Sequence, residues 1–499
     1  MMKHFPNPLL PLLALILNLS LLPAGCRTGQ ADRGEEEAPG TVRLCPSNPR
    51  YLEYQGEPVI LVTSAEHYGA VLNLNFDYRV YLETLEKEGF NYTRIFTGSY
   101  LEPVENIFRI QRNTLAPLPG KFIAPWDTVG GKYDLERFNP DYFERLKDFI
   151  ATAAAHGIIV EVTLFSSIYA ENAWVLSPFH PENNVNDVGD IPFHRVNTLY
   201  NGGIRGYQEA FVRKVVRELN AFDNVFFEIQ NEPWSDNPNL AAFVEVRDEV
   251  LFRWDWQRRV EIANDVSLEW QAWVASVIRS EEEGLARTHL VNQNVSNLQY
   301  DLENLPEGIS MINFHYALPG AVLKNLDLGG VVCLDETGFM PHEDALYMDQ
   351  AWRFLLSGGG LYNNLDYSFT AGNEKGDWPI PVTNPGWGGP AFRKKLSLLA
   401  ETLEQIPFHE MEVSTELFGT DAPDVKQYVL QKPGEVYLAF LEHIAGLELL
   451  PGVPAGEYEV TLIHVATGEK RTQSLSLGEG QTLRSPFDDS RVAILIHRI

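Results

Sequence analysis

Residues 206–233 read GYQEAFVRKVVRELNAFDNVFFEIQNEP, and their periodicity changes partway along. Over Gly206–Phe222 the apolar residues Phe211, Val212, Val215, Val216 and Leu219 recur at helical spacing, which gives a helix one apolar face. Val225–Gln230 (VFFEIQ) is instead a short continuous apolar run of strand length. A helix followed by a buried strand is one repeat of an α/β fold. The same alternation continues outward on both sides. Upstream, strands are predicted at Pro58–Ser64, Asn91–Thr97 and Ile158–Phe165, with helices at Phe76–Glu88 and Tyr142–His156, each stopped by a glycine. Downstream, helices over Leu240–Ile262 and Ser267–Ser280 precede strands at His289–Asn294, Ser310–Tyr316, Gly330–Glu336 and Gly360–Tyr367. Helices near Asp344–Leu356 and Ala391–Leu403 complete the series.

Strands that alternate with helices pair in parallel through right-handed crossovers. Eight such repeats over roughly 350 residues predict a (β/α)8 TIM barrel of the α/β class. An open doubly wound sheet is the structural rival, but no glycine-rich phosphate loop follows the first strand. Beyond residue 411 the pattern becomes short β-rich runs, Gln427–Gln431, Glu435–Leu441, Glu457–Val465 and Val492–Arg498, with turns at Lys432-Pro433-Gly434 and Thr467-Gly468. These predict a small antiparallel β-sandwich. The expected organisation is a barrel over residues 41–410 and a sandwich over 411–499. Residues 1–25 read as an export signal: Lys3, then an apolar stretch from Leu9 to Leu22 that is too short and interrupted to span a bilayer. The run Leu22-Pro23-Ala24-Gly25-Cys26 resembles a bacterial lipoprotein cleavage box, with Pro23 out of pattern, and implies lipidation of Cys26. Residues 26–40 are a polar tether. The expected location is therefore the envelope of a bacterium, through that lipid, or otherwise the periplasm or medium. Any membrane contact is expected through the lipid alone.

The 499 residues carry 68 acidic against 39 basic side chains, a formal net charge of −29. That balance excludes nucleic acid, which needs a basic footprint, and suits a neutral or cationic ligand. Three cysteines exclude a disulfide scaffold, and Cys45 and Cys333 read as unpaired buried thiols or one disulfide. No His-Glu-x-x-His run or Cys/His cluster occurs, and the adjacent Glu66-His67 lack a metal spacing. Neither metal nor cofactor is expected.

Sites in such barrels gather at the C-terminal ends of the strands. Those ends carry Glu66 and His67, Arg94, Asn231 and Glu232, Asn292 and Asn294, His315 and Tyr316, Asp335 and Glu336, and Asn364 and Asp366. A carboxylate after the fourth strand and another after the seventh face each other across one mouth. A span of about 5–5.5 Å is the separation used by retaining glycosidases. Like-charge coupling would then keep one ionised and raise the other. Adjacent strand residues face opposite ways, so only one of Asp335 and Glu336 should enter the mouth. Trp174, Trp234, Trp378 and Trp387 lie in the connecting loops, where flat rings suit sugar faces. His180, Asn183 and Asn184 could bond hydroxyls or simply fold their own loop.

The run DNVFFEIQNEP at 223–233 resembles the Asn-Glu-Pro signature of the clan A glycoside hydrolases, the cellulase-like, family 5-like barrels. Arg94 in NYTRIF, His315-Tyr316 in NFHYA and Glu336 in CLDETGF are similar to that clan's second-, sixth- and seventh-strand residues. The resemblance covers most of residues 55–410, and the C-terminal region resembles sandwiches appended to such barrels. It implies Glu232 as general acid/base and Glu336 as nucleophile. Arg94, Asn231, His315 and Tyr316 would hold the nucleophile and a sugar hydroxyl. Glu66, His67, Trp174, Trp234, Asn364 and Trp378 are further candidates for substrate contact. The implied substrate is a β-linked oligo- or polysaccharide, hydrolysed with retention. A non-catalytic carbohydrate-binding lipoprotein and a transglycosylase using the same pair are the alternatives.

Overall fold

A computed structural model describes residues 40–236, 238–243 and 255–499. The export signal, Cys26 and nearly all of the tether lie outside the described residues. Eight parallel strands form the barrel: β1 (Leu61–Ala65), β2 (Tyr92–Phe96), β3 (Ile159–Ser166), β4 (Val225–Asn231), β5 (Val291–Asn297), β6 (Met311–His315), β7 (Val331–Glu336) and β8 (Leu361–Leu365). Their hydrogen-bonded order is β1-β8-β7-β6-β5-β4-β3-β2. The helices between them include α1 (Tyr78–Lys87), α2 (Pro140–Ala155), α3 (Arg205–Leu219), α4 (Asp265–Glu282), α5 (Asp344–Leu356) and α6 (Pro390–Leu403). The apolar stripe of α3 is buried as its spacing requires, with Phe211, Val212, Val215, Val216 and Leu219 all inaccessible to solvent. Asn139 caps α2 through its side chain and Pro140 opens it.

The barrel closes where β1 meets β2, and one side chain does much of the closing. The Asn91 carboxamide accepts from Val62 N–H at 2.9 Å and donates to the Ile60 carbonyl at 2.9 Å. It thus imitates the peptide of a neighbouring strand. Backbone bonds from Asn91 to Val62 at 3.4 Å and from Phe96 to Tyr68 at 3.0 Å flank it.

Period two along the strands sorts residues between two layers. Tyr92, Ile159, Phe226, Val331 and Cys333 fill the bottom of the barrel, while Val160, Val162, Phe227, Leu334 and their neighbours pack outward against the helices. Cys333 sits in that floor and Cys45 is buried elsewhere, both as free thiols.

The expected helix over Leu240–Ile262 is corrected at both ends. Pro238–Phe243 and Arg259–Ala263 are strands of an antiparallel hairpin, and Ile262 pairs with Ser296 of β5. Pairing with the barrel strand supplies the backbone partners that a helix would have supplied internally. A second hairpin, Trp126–Val129 with Lys132–Phe138, decorates the connection between β2 and α2.

The C-terminal region is β-rich and antiparallel. Its large sheet contains β9 (Lys426–Lys432), β10 (Val436–Glu442), β11 (Gly456–Ile463), β12 (Lys470–Leu477) and β13 (Arg491–Arg498). A three-stranded sheet, Phe418–Gly419, Glu448–Pro451 and Leu483–Arg484, accompanies it. One face of the large sheet shares the barrel's core. Phe440 stacks on Trp352 of α5 at 5.8 Å, within the roughly 4.5–7 Å of aromatic pairs, and Arg353 is paired to Glu442 and Arg491 to Asp349. The other face packs on its own core of Val429, Tyr437, Leu441, Val460 and Ile494. That double burial explains why VYLAFL at 436–441 is apolar throughout rather than alternating.

Candidate active site

Polar residues begin one layer above the barrel floor. Arg94 on β2, Glu161 and Thr163 on β3, Glu228 on β4, Asn292 on β5, Asn313 on β6 and Asp335 on β7 all point inward and are fully buried or nearly so. The Arg94 guanidinium donates to Glu228 and, at 2.8 Å, to Asn231 Oδ1, and lies 3.2 Å from Asp335. Thr163 donates to Glu228 at 2.6 Å, and Asn313 donates to Glu161, Glu228 and Asp335 at 3.1, 3.2 and 2.9 Å. One guanidinium cannot neutralise three acids. Burial, reinforced by Glu228 and Asp335, pushes Glu161 up to about 8. Burial likewise pushes Asp335 up to about 7, against Arg94 and His315.

Asp335 belongs to this layer because it continues the inward row Val331–Cys333 of β7. Strict alternation would turn Glu336 toward the helices. The β6–β7 register breaks between Asn313 and His315, and Glu336 turns into the mouth. The expectation that only one of the two enters is therefore corrected: both face the interior, at different depths.

Glu232 and Glu336 occupy the next layer. An oxygen of each, with a ring nitrogen of His315, fall within 4.8 Å of one another. His315 Nδ1 lies 2.9 Å from Glu232 Oε1 and 3.5 Å from Glu336 Oε1, while Nε2 faces the Asn294 carboxamide at 2.7 Å. Tyr169 donates to Glu232 Oε2 at 2.8 Å, and its own oxygen accepts from Asn231 at 2.8 Å. Tyr68 and Tyr316 donate to the two oxygens of Glu336 at 2.8 and 2.9 Å. Arg94 Nη1 stands 3.6 Å from Glu336. The two carboxylates keep only 14% and 10% of their side-chain surface exposed, enough for one reactant to reach them.

Backbone strain aims these groups. Tyr68, Glu232, Leu298, Tyr316 and Met340 all have positive φ, from 47° to 63°, and follow β1, β4, β5, β6 and β7. A non-glycine residue in this region costs on the order of 1 kcal/mol or more and persists only where the surroundings enforce it. Tyr68, Glu232, Tyr316 and Met340 thereby border the cleft or the inner compartment, while Leu298 packs on Val260.

The titration pattern follows from the contacts. Burial opposes charge on His315, but Glu336, Asp335 and Glu232 together raise it to about 9. Burial pushes Glu232 upward, but the hydrogen bond and charge of His315, with Tyr169 and Arg94, hold it below the usual carboxylate range. Burial, aided by the charge of Glu232, raises Glu336 against His315 and Arg94. The expectation that coupling would raise the acid/base candidate is thus corrected. The proton beside Glu232 resides on His315, across a 2.9 Å hydrogen bond. His315 offers a stability test. Its folded value lies above the ordinary 6.5, so its contribution is complete below about 6.5 and is lost as pH rises through about 9. We expect denaturant unfolding to show a loss on the order of 3 kcal/mol from this group between pH 6.5 and 9.5. In His315→Gln the pH dependence should shrink by that amount; an unchanged slope would mean the ring is neutral.

Glu232, His315 and Glu336, and likewise Glu228, His315 and Asp335, could each converge on a cation.

Above the carboxylates opens a cleft of about 820 Å³, lined by Phe108, Tyr169, Glu232, Trp234, Tyr316 and Phe339 among others. Below it lies a narrow inner compartment that reaches Glu336, Asn231 and His67. Trp234 sets its ring edge-on to His315 at 5.4 Å. Arg94 and His315 stand behind the carboxylates, and four further candidates line neither space. Glu66 is buried, accepts from the Gly69 and Ala70 N–H groups at 3.0 and 2.8 Å, and is pushed by burial to about 7. Asn364 bonds Ser64 and the Leu365 carbonyl beneath the mouth. Trp174 is a core residue packed edge-on to His180, and Trp378 lies under the Arg112 guanidinium. Asp366 is held by Arg393 at 2.7 Å, and Asn183 and Asn184 bond carbonyls of their own loop. Trp387 donates to Asp344 at 2.7 Å. The residues that the sequence reading missed are the tyrosines Tyr68 and Tyr169 and the inner acids Glu161 and Glu228. The acids had a signal, a lone charge at an inward position of an apolar strand. The tyrosines had none beyond standing just past strand ends.

No family model and no curated protein matches the chain. Solved structures do. One of a glycoside hydrolase aligns with 92% of this chain and 97% of its own at TM-score 0.62 and 10% identity. A glycoside hydrolase family 5 protein from Bacteroides vulgatus aligns with 92% of this chain and 94% of its own at TM-score 0.60 and 11% identity. At such identities the likeness is one of fold: a parallel eight-stranded barrel with a β-rich C-terminal region.

Proposed function

We propose that the protein is a retaining glycoside hydrolase that cleaves a β-linked glycan through a covalent glycosyl-enzyme intermediate. The observation that carries this reading is the approach of Glu232 and Glu336 to within 4.8 Å of one another and of His315. Inverting enzymes space their carboxyls by about 6.5–9.5 Å to admit a water between them, and retaining enzymes by about 5–5.5 Å. The β linkage rests on the resemblance of the Asn-Glu-Pro run to clan A, and the glycoside hydrolases of like fold are consistent with it.

Position supports these roles. Glu336 lies deeper, with two phenol donors and a guanidinium around it, which suits a carboxylate that must attack as an anion. Glu232 lines the open cleft, where a leaving group departs and water arrives. In the first step Glu336 forms a bond to the anomeric carbon as the bond to the glycosidic oxygen breaks. That oxygen takes a proton that His315 has passed to Glu232 across their hydrogen bond, which leaves Glu232 ionised and the imidazole neutral. In the second, Glu232 takes a proton from water, which attacks the same carbon and frees Glu336. Tyr169, Asn231 and Arg94 form a relay of hydrogen bonds that couples the two carboxylates to the inner layer.

The test is hydrolysis of aryl β-glycosides and polysaccharides, with the product anomer read by NMR before it mutarotates. Retention is expected; a first-formed inverted product would reject the mechanism. In Glu232→Ala turnover of unactivated glycosides should fall by about 10²–10⁴. Dinitrophenyl glycosides, whose leaving group needs no proton, should lose far less in the first step. Equal losses on both would remove Glu232 from the acid role. A carbohydrate-binding protein would bind glycans without turnover, and a transglycosylase would pass the sugar to an added acceptor in preference to water. We also propose, from the residues at positions 22–26, that the chain is exported and held at the bacterial envelope through Cys26.

A further inference from the structure

We propose that the inner compartment is the closed end of the sugar site, so that the protein removes one residue at a time from the non-reducing end of its substrate. The inference rests on the glycosidase reading above. In that reading the sugar that is attacked lies on the Glu336 side of the scissile bond and the leaving group lies beyond Glu232. Glu336 borders the inner compartment, whereas Glu232 borders both spaces. The attacked sugar therefore sits at the mouth of the inner compartment with its far edge toward it, and the rest of the chain lies outside. At about 50 Å³ against about 820 Å³, the compartment is smaller than one pyranose ring, so it takes an edge of the attacked sugar and admits no ring behind it.

The far end is walled by residues 102–115 of the connection after β2, with Ile110 and Leu115 facing inward. The wall is bolted at several points. Glu102 N–H donates to the Leu115 carbonyl at 3.0 Å, and Thr114 Oγ1 donates to the His67 carbonyl at 2.8 Å. Gln111 N–H donates to Asn384 Oδ1 at 2.8 Å, across the cleft rim. Gly69 permits the tightest contact: a Cβ there would lie 2.2 Å from the Thr114 carbonyl oxygen. A wall pinned from three sides excludes a chain that would run through the site.

The closed end is also built to recognise polar groups. His67 lines it, is 8% exposed, and its Nδ1 has no hydrogen-bond partner. Burial and the Arg94 charge lower the ring to about 3, so it is neutral. Beside it is Glu102, which accepts from Asn113 and lies 3.9 Å from His67 Nε2. A buried acid, whose other oxygen meets the Tyr100 hydroxyl at 3.5 Å, and a neutral imidazole give this end polar side chains suited to the hydroxyls at the far edge of a terminal sugar. The mechanism uses neither residue.

The experiment takes the full chain and 4-nitrophenyl β-glucoside, mannoside, galactoside, xyloside and N-acetylglucosaminide. The sugar that is released is then presented as its linear trisaccharide, free or blocked at the non-reducing end by a 4,6-O-ethylidene group (for xylose, a 4-O-methyl group). Stepwise release of single sugars is expected from the free trisaccharide, and at least a hundredfold slower cleavage from the blocked one. Glu102→Gln should lower kcat/KM for the aryl glycoside tenfold or more without moving the thermal midpoint. Cleavage of the blocked trisaccharide at the free rate, or internal cleavage of a polysaccharide with no monoglycoside turnover, would overturn the closed end and leave the glycosidase reading standing. No turnover of any glycoside or polysaccharide would overturn both.

Discussion

Glu336→Ala is expected to lose turnover by about 10⁴-fold or more while remaining folded, because removing a covalent nucleophile leaves only binding and electrostatic assistance. The fold should tolerate the change. Tyr68 and Tyr316 lose an acceptor, at a cost of about 1–3 kcal/mol each if they find no other, but a buried carboxylate is also removed. Truncation opens a space beside the anomeric carbon that azide can fill. Azide attacking from there should restore turnover and give a glycosyl azide of inverted configuration. The same rescue of Glu232→Ala should give the retained azide, since Glu336 still makes the first bond. The anomers are the decisive readout, because the resting site holds Glu232, not Glu336, as the more acidic carboxyl. A retained azide from Glu336→Ala would exchange the two roles, and near-normal turnover without azide would end the assignment.

Arg94→Met should cost about 3–5 kcal/mol of stability, the range for removing one partner of a buried ion pair. Arg94 is fully buried with Glu228 and Asp335 against it. Without it both acids must either take up protons or remain as uncompensated charges. Arg94→Lys should recover part of the loss, since an ammonium keeps the charge but not the fork that reaches Glu228, Asn231 and Asp335 together. Urea midpoints at neutral pH measure this directly. A loss below about 1 kcal/mol would show that the acids already carry their own protons.

Most of the barrel was legible because its strands are buried on both faces and its helices on one, so each leaves a different period in the sequence. The eight strands and the helices around them fall within a few residues of their expected places. Leu240–Ile262 was misread at its described ends, because Pro238–Phe243 and Arg259–Ala263 pair with each other and Ile262 pairs with β5, tertiary contacts that leave no period of their own; residues 244–254 of that expected helix lie outside the described residues. Lys470–Leu477 escaped notice for the opposite reason. Its side chains are exposed along most of its length, and only its pairing with β11 makes it a strand. In the site, charged residues at strand ends were visible as residues out of place. Trp174 was not, since a tryptophan in a loop gives no hint whether it faces a cleft or plugs a core. Tyr68 owes its position to a reversed backbone at one residue, which local composition does not encode.

The joint at Asn91 has a consequence for how the barrel breathes. Every other neighbouring pair of barrel strands is held by a peptide ladder, whereas here a side chain stands in for part of one. Opening this joint parts no strand ladder, only the side-chain bridge and the backbone bonds that flank it. Native-state hydrogen exchange should therefore find the amides of Val62 and Asn91 less protected than those of β3 and β4, and exchanging together as one unit. The sheet is a ribbon rolled until its edges touch, with a latch at the line where they meet.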